Sequence, residues 1–155
     1  MPPSPAAGRC VFCRIASGAE AASIIHGDEA VVAFMDHRPV RPGQCMVIPR
    51  AHVDHFTDVD EPTALRMMQV ARRIGRRMRR VFRPLRVGMV VHGFGVAHAH
   101  LILVPQHATD DITSARLASI RDGRVVFGIA SLPFADAAEL DEHARLLAGA
   151  GDETG

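Results

Sequence analysis

The stretch VAHAHLILVP, residues 96–105, carries the strongest pattern in this chain. Its leucines and β-branched residues favour a buried strand over residues 96–104. Side chains two positions apart on a strand point to the same face, so His98 and His100 are predicted to lie side by side. Burying two imidazoles is costly unless their nitrogens serve as metal ligands or take part in proton and phosphoryl chemistry. The alternative, two histidines on an exposed sheet face, is disfavoured by the flanking apolar residues.

Apolar runs on either side of this stretch predict the rest of a sheet. Residues 30–35 (AVVAFM) and 45–48 (CMVI) are separated by a Pro/Gly-rich loop, which favours an antiparallel pair. Residues 87–91 form another strand, which connects to the 96–104 strand through Gly93-Phe94-Gly95 in a hairpin-like turn. Strands followed by a helix and by further strands predict an α+β fold with a mostly antiparallel sheet.

One long amphipathic helix is predicted over residues 60–82, with Pro62 in its first turn and Pro84 just beyond its end. Its apolar positions recur at three- and four-residue steps: Leu65, Met68, Ala71, Ile74, Met78 and Val81. The other face is rich in arginine. We interpret it as a solvated face rather than a nucleic-acid site, because no aromatic residues interleave to stack on bases.

The C-terminal third is less regular. Residues 112–120 are predicted to form a short helix, 124–130 a strand after Asp122-Gly123, and 136–148 a terminal helix. The ends, residues 1–8 and 149–155, are small, polar or Pro-rich and are expected to be disordered.

Composition is that of a single globular domain: 155 residues, of which 48% are hydrophobic. Eighteen basic residues, all arginine, oppose 17 acidic ones, so the overall charge selects neither nucleic acid nor a membrane as partner. The sequence has no apolar run of membrane-spanning length and no leader pattern at its start. Three cysteines cannot supply a disulfide framework, so we expect a soluble protein of the reducing cytoplasm.

Cys10 and Cys13 have the C-x2-C spacing that brings two sulfurs to one tetrahedral metal ion. Alone, this spacing is also compatible with a redox pair or with chance. A zinc site needs two more ligands, and His52 together with one of the two histidines of the 96–105 stretch would complete a Cys2His2 set. Cys45, inside an apolar run, is interpreted as a small buried hydrophobic residue.

In order and spacing, five segments of the chain resemble the histidine triad (HIT) hydrolases and nucleotidyltransferases. They are Cys10-Val-Phe-Cys13-Arg-Ile15, Val31-Val-Ala-Phe-Met-Asp36, Pro39-Val-Arg-Pro-Gly43, Met46-Val-Ile-Pro-Arg-Ala-His52 and Val96-Ala-His-Ala-His-Leu-Ile-Leu-Val-Pro105. The resemblance covers about residues 9–107. It implies one HIT-like domain over residues 1–155, with a long helix packed on a five-stranded antiparallel sheet. It also implies a homodimer formed through the helix and an edge strand.

The resemblance implies that His100 is catalytic. In the family, the middle histidine attacks the α-phosphate of a nucleotide, and water or another acceptor resolves the nucleotidyl-histidine. The implied substrates are purine nucleotides or dinucleoside polyphosphates, cleaved at a phosphoanhydride or phosphoramidate bond. Ile102 stands at the position of the third histidine and cannot donate to phosphate. The alternative prediction is a zinc-stabilised nucleotide-binding module with little or no turnover.

Zinc-bearing relatives and the related galactose-1-phosphate uridylyltransferases imply a structural zinc at four matching positions, Cys10, Cys13, His52 and His98. The uridylyltransferases carry glutamine at the third triad position, so Ile102 argues against a hexose-1-phosphate transferase. The family's nucleoside contacts match Val11, Phe12, Ile15, Phe34 and Asp36, with Asp36 on the ribose hydroxyls. The apolar ones are equally explained by core packing. Gly95 stands where many relatives place serine or threonine, and offers phosphate only its backbone amide.

Overall fold

The computed structural model of the protein describes residues 8, 10–112, 117–128 and 132–149. The elements in chain order are α1 (Val11–Ser17), β1 (Ile24–Gly27), β2 (Val31–Met35), β3 (Cys45–Pro49), a 3₁₀ turn (Phe56–Asp58), α2 (Glu61–Val81), β4 (Arg86–Val90), β5 (Leu101–Gln106), β6 (Ala118–Arg121), β7 (Arg124–Phe127) and α3 (Ala137–Ala148). Residues 1–7 and 150–155, for which we predict disorder, lie outside the described residues. In the part of the chain that is described, no helix combines the length and the apolar character needed to cross a bilayer.

The first five strands form an antiparallel sheet in the order β1-β2-β3-β5-β4, which confirms the predicted α+β architecture. Alternate residues divide the sheet into two faces. One packs on the long helices, and its buried residues include Ala33, Val47 and Leu103. The opposite face carries a second apolar cluster, in which Phe34 and Ile48 pack with Phe12 of α1. Both faces are therefore covered, which explains why the central strands are apolar throughout.

Helix α2 confirms the predicted long helix. The Asp60 carboxylate caps it by accepting from the backbone N–H of Thr63 at 3.0 Å. The buried stripe, however, consists of Met67, Val70, Ala71, Ile74 and Met78. Predicting Leu65, Met68 and Val81 as buried is wrong, because these side chains are 58%, 39% and 36% exposed. Apolar residues occupy a wider part of the helix surface than the sheet covers. Periodicity alone therefore predicted a buried face that is rotated to one side of the observed one.

The strand predicted over residues 96–104 begins only at Leu101. Before it, the backbone leaves the ladder: the His98 N–H bonds to the carbonyl of Val96 at 2.8 Å, and the Ala99 N–H to that of Val53 at 2.6 Å. His98 and His100 nevertheless lie on one side of the chain, because both rings contact Phe12, with centroids 5.9 Å and 5.4 Å away. The predicted side-by-side placement is confirmed, although the strand that was to produce it is not.

The C-terminal third differs most from expectation. The predicted helix over 112–120 is wrong at its end, where residues 118–120 belong to strand β6; residues 113–116 lie outside the described ones. β7 confirms the start of the strand predicted over 124–130, and Asp122 and Gly123 form the tight turn with φ of 50° and 73°. Residues 129 and 130 are outside the described part. The terminal helix is confirmed as α3, capped by Asp136.

Two short elements, α1 and β1, escaped prediction. Seven and four residues are too few to establish a hydrophobic period. Cys45 is confirmed as a buried core residue, and burial raises the pKa of its thiol well above the usual range.

Candidate metal centre and active site

Four side chains from distant parts of the chain converge beside α1. Cys10 is the N-cap of this helix and Cys13 lies in its first turn, while His52 follows β3 and His98 precedes β5. Cys13 Sγ lies 3.2 Å from Nδ1 of His52, and both sulfurs lie 3.5 Å from Nδ1 of His98. All four ligand atoms lie within 4.8 Å of one another. The structure thus brings the predicted Cys2His2 set together.

The hydrogen bonding of His98 prepares it as a ligand. Its Nε2 lies 2.9 Å from the carbonyl oxygen of Pro49, an acceptor, so Nε2 carries the proton and donates it. Nδ1 is then left with its lone pair directed at the sulfurs. His98 is 1% exposed, and burial, opposed by this hydrogen bond, lowers its pKa and favours the neutral ring. A backbone carbonyl that fixes the ring of a metal-binding histidine is the usual supporting contact.

The donor set fits a soft to borderline divalent cation. Two thiols and two imidazoles around one point are typical of tetrahedral structural zinc sites. The protein groups by themselves raise the pKa of the Cys13 thiol to about 11. Burial is the largest cause, and the hydrogen bond with Cys10 and the charge of Cys10 act in the same direction. A divalent cation at the centre would reverse this effect by favouring both thiolates. The Cys10–Cys13–His52–His98 cluster is therefore a candidate metal centre.

His100 has the opposite arrangement of its ring nitrogens. Its Nδ1 lies 2.7 Å from the carbonyl oxygen of His98, so Nδ1 carries the proton and Nε2 keeps the lone pair. The side chain is 6% exposed and forms part of the wall of a large cavity of about 820 Å³. His100 therefore presents a buried, oriented imidazole with a free lone pair to a space large enough for a small molecule.

The residues predicted to contact a nucleoside line this same cavity. They are Val11, Phe12, Ile15, Phe34, Asp36 and Gly95. Phe12 and Phe34 also pack together edge to face with centroids 5.4 Å apart, so they belong to the core as well as to the cavity wall. Gly95 has φ of 94°, a conformation that favours glycine, in the loop that borders the cavity. The structure brings the six residues together around His100, and their contact with a nucleoside stays a prediction.

Asp36 is held by its own loop. One carboxylate oxygen accepts from the backbone N–H of Arg38 at 2.9 Å, and the other accepts from the side-chain amide of Gln44 at 2.6 Å. The side-chain oxygen Oε1 of Gln44 in turn accepts from the backbone N–H of Val40 at 2.9 Å. Asp36 is 8% exposed, and each oxygen has capacity for a second hydrogen bond. It therefore organises the loop and can still accept from a bound molecule.

A buried ion pair beside the cavity escaped the sequence analysis. Asp111, 1% exposed, accepts from Arg41 Nε at 2.8 Å and from the N–H groups of His107 and Ala108 at 2.7 and 2.9 Å. Burial by itself raises the pKa of Asp111, but these hydrogen bonds outweigh it and hold the pKa at about 2. The pair ties the loop of Asp36 to the segment after β5. Nothing in the local sequence marks two residues 70 positions apart as partners.

Comparison with known proteins agrees with this geometry. The family model of the HIT domain matches residues 17–116, which include His52, His98 and His100. The chain belongs to the HIT domain family. Cys10 and Cys13 precede the matched residues, so the cysteine half of the cluster lies outside the domain that the family model describes.

Three relatives illustrate the range of this HIT domain's similarities. The uncharacterised HIT-like protein Rv1262c of Mycobacterium tuberculosis is 31% identical over 121 residues, which are 72% of this chain and 81% of the relative. A zinc-bound histidine triad family protein from Mycobacterium smegmatis is 29% identical, with a TM-score of 0.67 over 92% of each chain. A HIT family hydrolase from Legionella pneumophila is 27% identical, with a TM-score of 0.52 over 61% of this chain and 90% of the other.

Next to His100, the cavity wall of this HIT domain is an apolar row. Ile102 is paired with Met46 on β3 and with Val90 on β4, and Met46 is paired with Phe34 on β2. These four side chains all line the cavity. The face that carries His100 therefore offers an imidazole at that position and hydrocarbon two residues later, at Ile102 of β5.

Proposed function

We propose that this HIT domain cleaves nucleotide phosphoanhydride or phosphoramidate bonds at the α-phosphate, by hydrolysis or nucleotidyl transfer, with His100 as the nucleophile. The observation that carries the proposal is the hydrogen bond from His100 Nδ1 to the carbonyl oxygen of His98. It leaves Nε2 as the nucleophilic atom and stabilises the positive charge that develops on the ring during attack. Support also comes from the relative that is named a HIT family hydrolase.

The reaction has two displacements. In the first, the lone pair of His100 Nε2 forms a bond to the α-phosphorus, and the bond to the leaving group breaks with its electron pair. In the second, a water oxygen attacks the phosphorus and loses a proton to solvent, while the P–N bond breaks and Nε2 regains its lone pair. An alternative acceptor in place of water gives nucleotidyl transfer. Dividing one difficult displacement into two lowers each barrier. The amide of Gly95, in the loop at the cavity, is the proposed donor to a phosphate oxygen.

The nucleoside is proposed to lie between α1 and β2. Val11, Phe12, Ile15 and Phe34 offer apolar surface for the base, and Asp36 offers carboxylate oxygens for the ribose hydroxyls. The two hydrogen bonds that already hold Asp36 keep its oxygens in place without occupying all of their lone pairs. A purine would fill this space better than a pyrimidine, because it covers more apolar surface.

Zinc is proposed to bind at Cys10, Cys13, His52 and His98 in a structural role. All four ligands come from protein, so no position is left for a substrate. Supporting observations are the convergence of the four ligand atoms and the zinc-bound mycobacterial relative. When bound, zinc would cross-link α1 to the chain before β5. It would also fix His98, whose carbonyl oxygen orients His100.

A homodimer through β4 and α2 is the proposed assembly. Among the described strands, β4 is the last one of the sheet, and its one partner there is β5. Beside it, Leu85 and Met89 are 70% and 46% exposed, and on α2 the side chain of Leu65 is 58% exposed. An apolar edge strand of this kind is a favourable surface for pairing with a second copy.

One observation favours the second candidate, a nucleotide-binding module with little turnover. At the position of the third triad histidine, Ile102 offers no hydrogen-bond donor. Losing one such donor costs on the order of 10²- to 10³-fold in rate in other enzymes. The two candidates share the fold, the cavity and the metal centre, so only a measurement of turnover separates them.

The deciding experiment looks for the covalent intermediate. The protein is incubated with adenosine phosphoramidate and with diadenosine polyphosphates, quenched in acid-free denaturant, and analysed by mass spectrometry. We expect the added mass of one nucleotidyl group on wild type, absent in His100→Ala and retained in the control His107→Ala, which changes an exposed histidine. No adduct and equal product formation by wild type and His100→Ala would reject the enzyme, and nucleotide binding by both would establish the module.

A further inference from the structure

Positive charge is concentrated in one part of this chain. Residues 62–109 contain nine of the eighteen arginines and neither aspartate nor glutamate. Six of these arginines lie between positions 72 and 80 of α2, where the helix dipole favours cations only in the last turn. Arg72 and Arg76, like Arg76 and Arg80, are four residues apart on the helix, and like charges at this spacing repel each other. The helix dipole therefore explains the arginines of the last turn but not the number that α2 carries.

Four of the arginines meet at a surface pocket of about 430 Å³. It is lined by Arg76, Arg79, Arg80, Arg83 and Pro84. Arg83 follows α2 with φ of 48°, a left-handed conformation that is uncommon for a residue with a side chain. The chain turns here, because Pro84 cannot continue the helix. The side chain of Arg83 thereby lines the same pocket as those of the last two turns of α2, and four permanently charged side chains border one space.

These side chains favour a compact anion with several negative charges. The planar guanidinium group of arginine donates two parallel hydrogen bonds to a phosphate. Four such groups match an anion with two or more linked phosphates better than they match a single carboxylate. The volume is within the range of small-molecule sites. A nucleic-acid strand, in contrast, spreads its charges along a line, and the described residues that line this pocket include no aromatic ring on which a base could stack.

We propose that the α2 arginine pocket, defined by Arg76, Arg79, Arg80 and Arg83, is a second binding site whose ligand is a compact oligophosphate. This chemical class includes inorganic polyphosphate and the polyphosphate group of a nucleotide. No described residue that lines the pocket also lines the cavity of His100. The site is therefore separate from the proposed catalytic one and does not depend on turnover. The bound anion offsets the repulsion among the arginines and stabilises the C-terminal end of α2.

Calorimetric titration of the purified protein tests the site with inorganic probes, which carry no nucleoside for the cavity of His100. We expect inorganic tripolyphosphate to bind at least about 30-fold more tightly than orthophosphate at low salt, because it reaches several guanidinium groups at once. The affinity should fall as the ionic strength rises. Tripolyphosphate should also raise the melting temperature, since a ligand of the folded state stabilises it. Metal content is measured before and after, because oligophosphates also chelate divalent cations.

Two exposed arginines of the pocket provide matched variants. The double substitution Arg79→Gln with Arg83→Gln should weaken tripolyphosphate binding at least about tenfold, since it removes two of the four cations. Arg79→Lys with Arg83→Lys keeps the charges but not the planar donor groups, and should weaken binding about threefold. The control, Arg121→Gln with Arg124→Gln, removes the same charge from an exposed arginine pair of the β6–β7 hairpin and should leave the affinity within about twofold.

Chemical modification of wild type locates the site without any substitution. Phenylglyoxal reacts with exposed arginine side chains, and peptide mass spectrometry measures the rate at each position. Tripolyphosphate should slow the modification of Arg79 and Arg83 at least about fivefold and leave that of Arg121 unchanged, because only occupied side chains are protected. This measurement decides the question even if the glutamine variants fail to fold.

Adenosine triphosphate determines the source of the phosphates. Because this nucleotide can also enter the cavity of His100, only the binding that is lost in Arg79→Gln with Arg83→Gln is assigned to the pocket. A loss larger than that of tripolyphosphate identifies a nucleotide as the ligand, and an equal or smaller loss identifies inorganic polyphosphate. Either result supports the site.

Three results overturn the inference. Orthophosphate that binds as tightly as tripolyphosphate, or an equal loss of affinity in the Arg121 and Arg124 control, shows a solvated basic face without a site. Single-stranded RNA of about twelve nucleotides that binds through Arg79 and Arg83, with no binding of tripolyphosphate, assigns the surface to a nucleic-acid backbone. Each result is independent of turnover at His100, so failure of this inference and failure of the proposed function are distinguishable.

Discussion

His98 and His100 are two residues apart, and each donates one ring N–H to a backbone carbonyl, but they use opposite nitrogens. His98 donates through Nε2 to Pro49, which leaves Nδ1 for the cysteine sulfurs. His100 donates through Nδ1 to His98, which leaves Nε2 for the cavity. The comparison shows that the chemistry available to an imidazole is decided by the acceptor that holds it. His98 belongs to the candidate metal centre of Cys10, Cys13, His52 and His98, which we call the metal region. His100 belongs to the wall of the cavity, which we call the cavity region.

The largest expected effect is the loss of turnover on replacing His100, which would distinguish its role from that of His98. His100→Ala should reduce turnover by at least about 10³-fold and leave nucleotide affinity within about tenfold, because it removes the group that forms the covalent bond. The melting temperature should change little. Steady-state kinetics and calorimetry measure the two quantities. A variant that loses binding and stability together would show that His100 is a structural residue like His98.

Disrupting the metal region should lower stability and leave the choice of nucleotide unchanged. Cys13→Ser should release the metal and lower the free energy of unfolding by more than about 3 kcal/mol, since metal-binding energy at such sites is folding energy. Any folded fraction should keep its choice of nucleotide. Metal analysis of protein purified without added zinc, followed by denaturant titration, checks both statements. Less than about a tenth of an equivalent of metal in wild type would contradict the zinc proposal.

The cavity region is held by protein groups alone, through Arg41 and Asp111. Arg41→Met should lower the free energy of unfolding by about 2 to 4 kcal/mol, because it removes the cation paired with a buried carboxylate. The control Arg14→Met breaks an ion pair whose side chains are 50% and 40% exposed, and should cost less than about 1 kcal/mol. Equal effects of the two substitutions would show that the buried pair does not hold the loop.

The same pair predicts a dependence on pH. The pKa of Asp111 is about 2 in the folded protein, below roughly 3.9 in an unfolded chain, so the unfolded state binds the proton more readily. Its stabilisation is complete above about pH 4 and is lost as the pH falls toward 2. Asp111→Asn should therefore flatten the stability curve between these values by about 2 kcal/mol. Unfolding curves from pH 5 to pH 2 measure it; an unchanged slope would contradict the assignment.

The smallest expected effect concerns Ile102. Ile102→His should increase turnover of a phosphoramidate by about 10- to 100-fold, since the new ring can donate to the departing amine. It should give no gain on diadenosine triphosphate, whose phosphate leaving group departs as an anion and needs no proton. Kinetics on the two substrates, together with a melting curve, test this. A gain on both would show that position 102 acts on the phosphate itself rather than on the leaving group.

Sequence reasoning worked where the information is local or periodic. The apolar runs of β2 and β3, the 3.6-residue period of α2 and the turn at Asp122-Gly123 predicted their elements, because each depends on neighbouring residues. The four candidate metal ligands, Cys10, Cys13, His52 and His98, were predicted from a family resemblance, because the motifs that carry them occur in the same order along the sequence. The start of β5 was predicted too early, because the backbone N–H of Ala99 bonds to the carbonyl of Val53, 46 residues earlier in the chain, and the strand begins only after it, at Leu101.

By itself, the sequence determined the α+β class, the central strands and the set of residue types available for chemistry, since these follow from hydrophobic pattern and composition. Only the tertiary structure decided which nitrogen of each histidine is free. That choice depends on the carbonyls of Pro49 and His98 and on their position relative to each ring. It also decided that Leu65 is exposed, and that Arg41 meets Asp111. The physical reason is the same throughout: hydrogen bonds and burial are set by groups distant in the chain, and no local pattern encodes their distance in space.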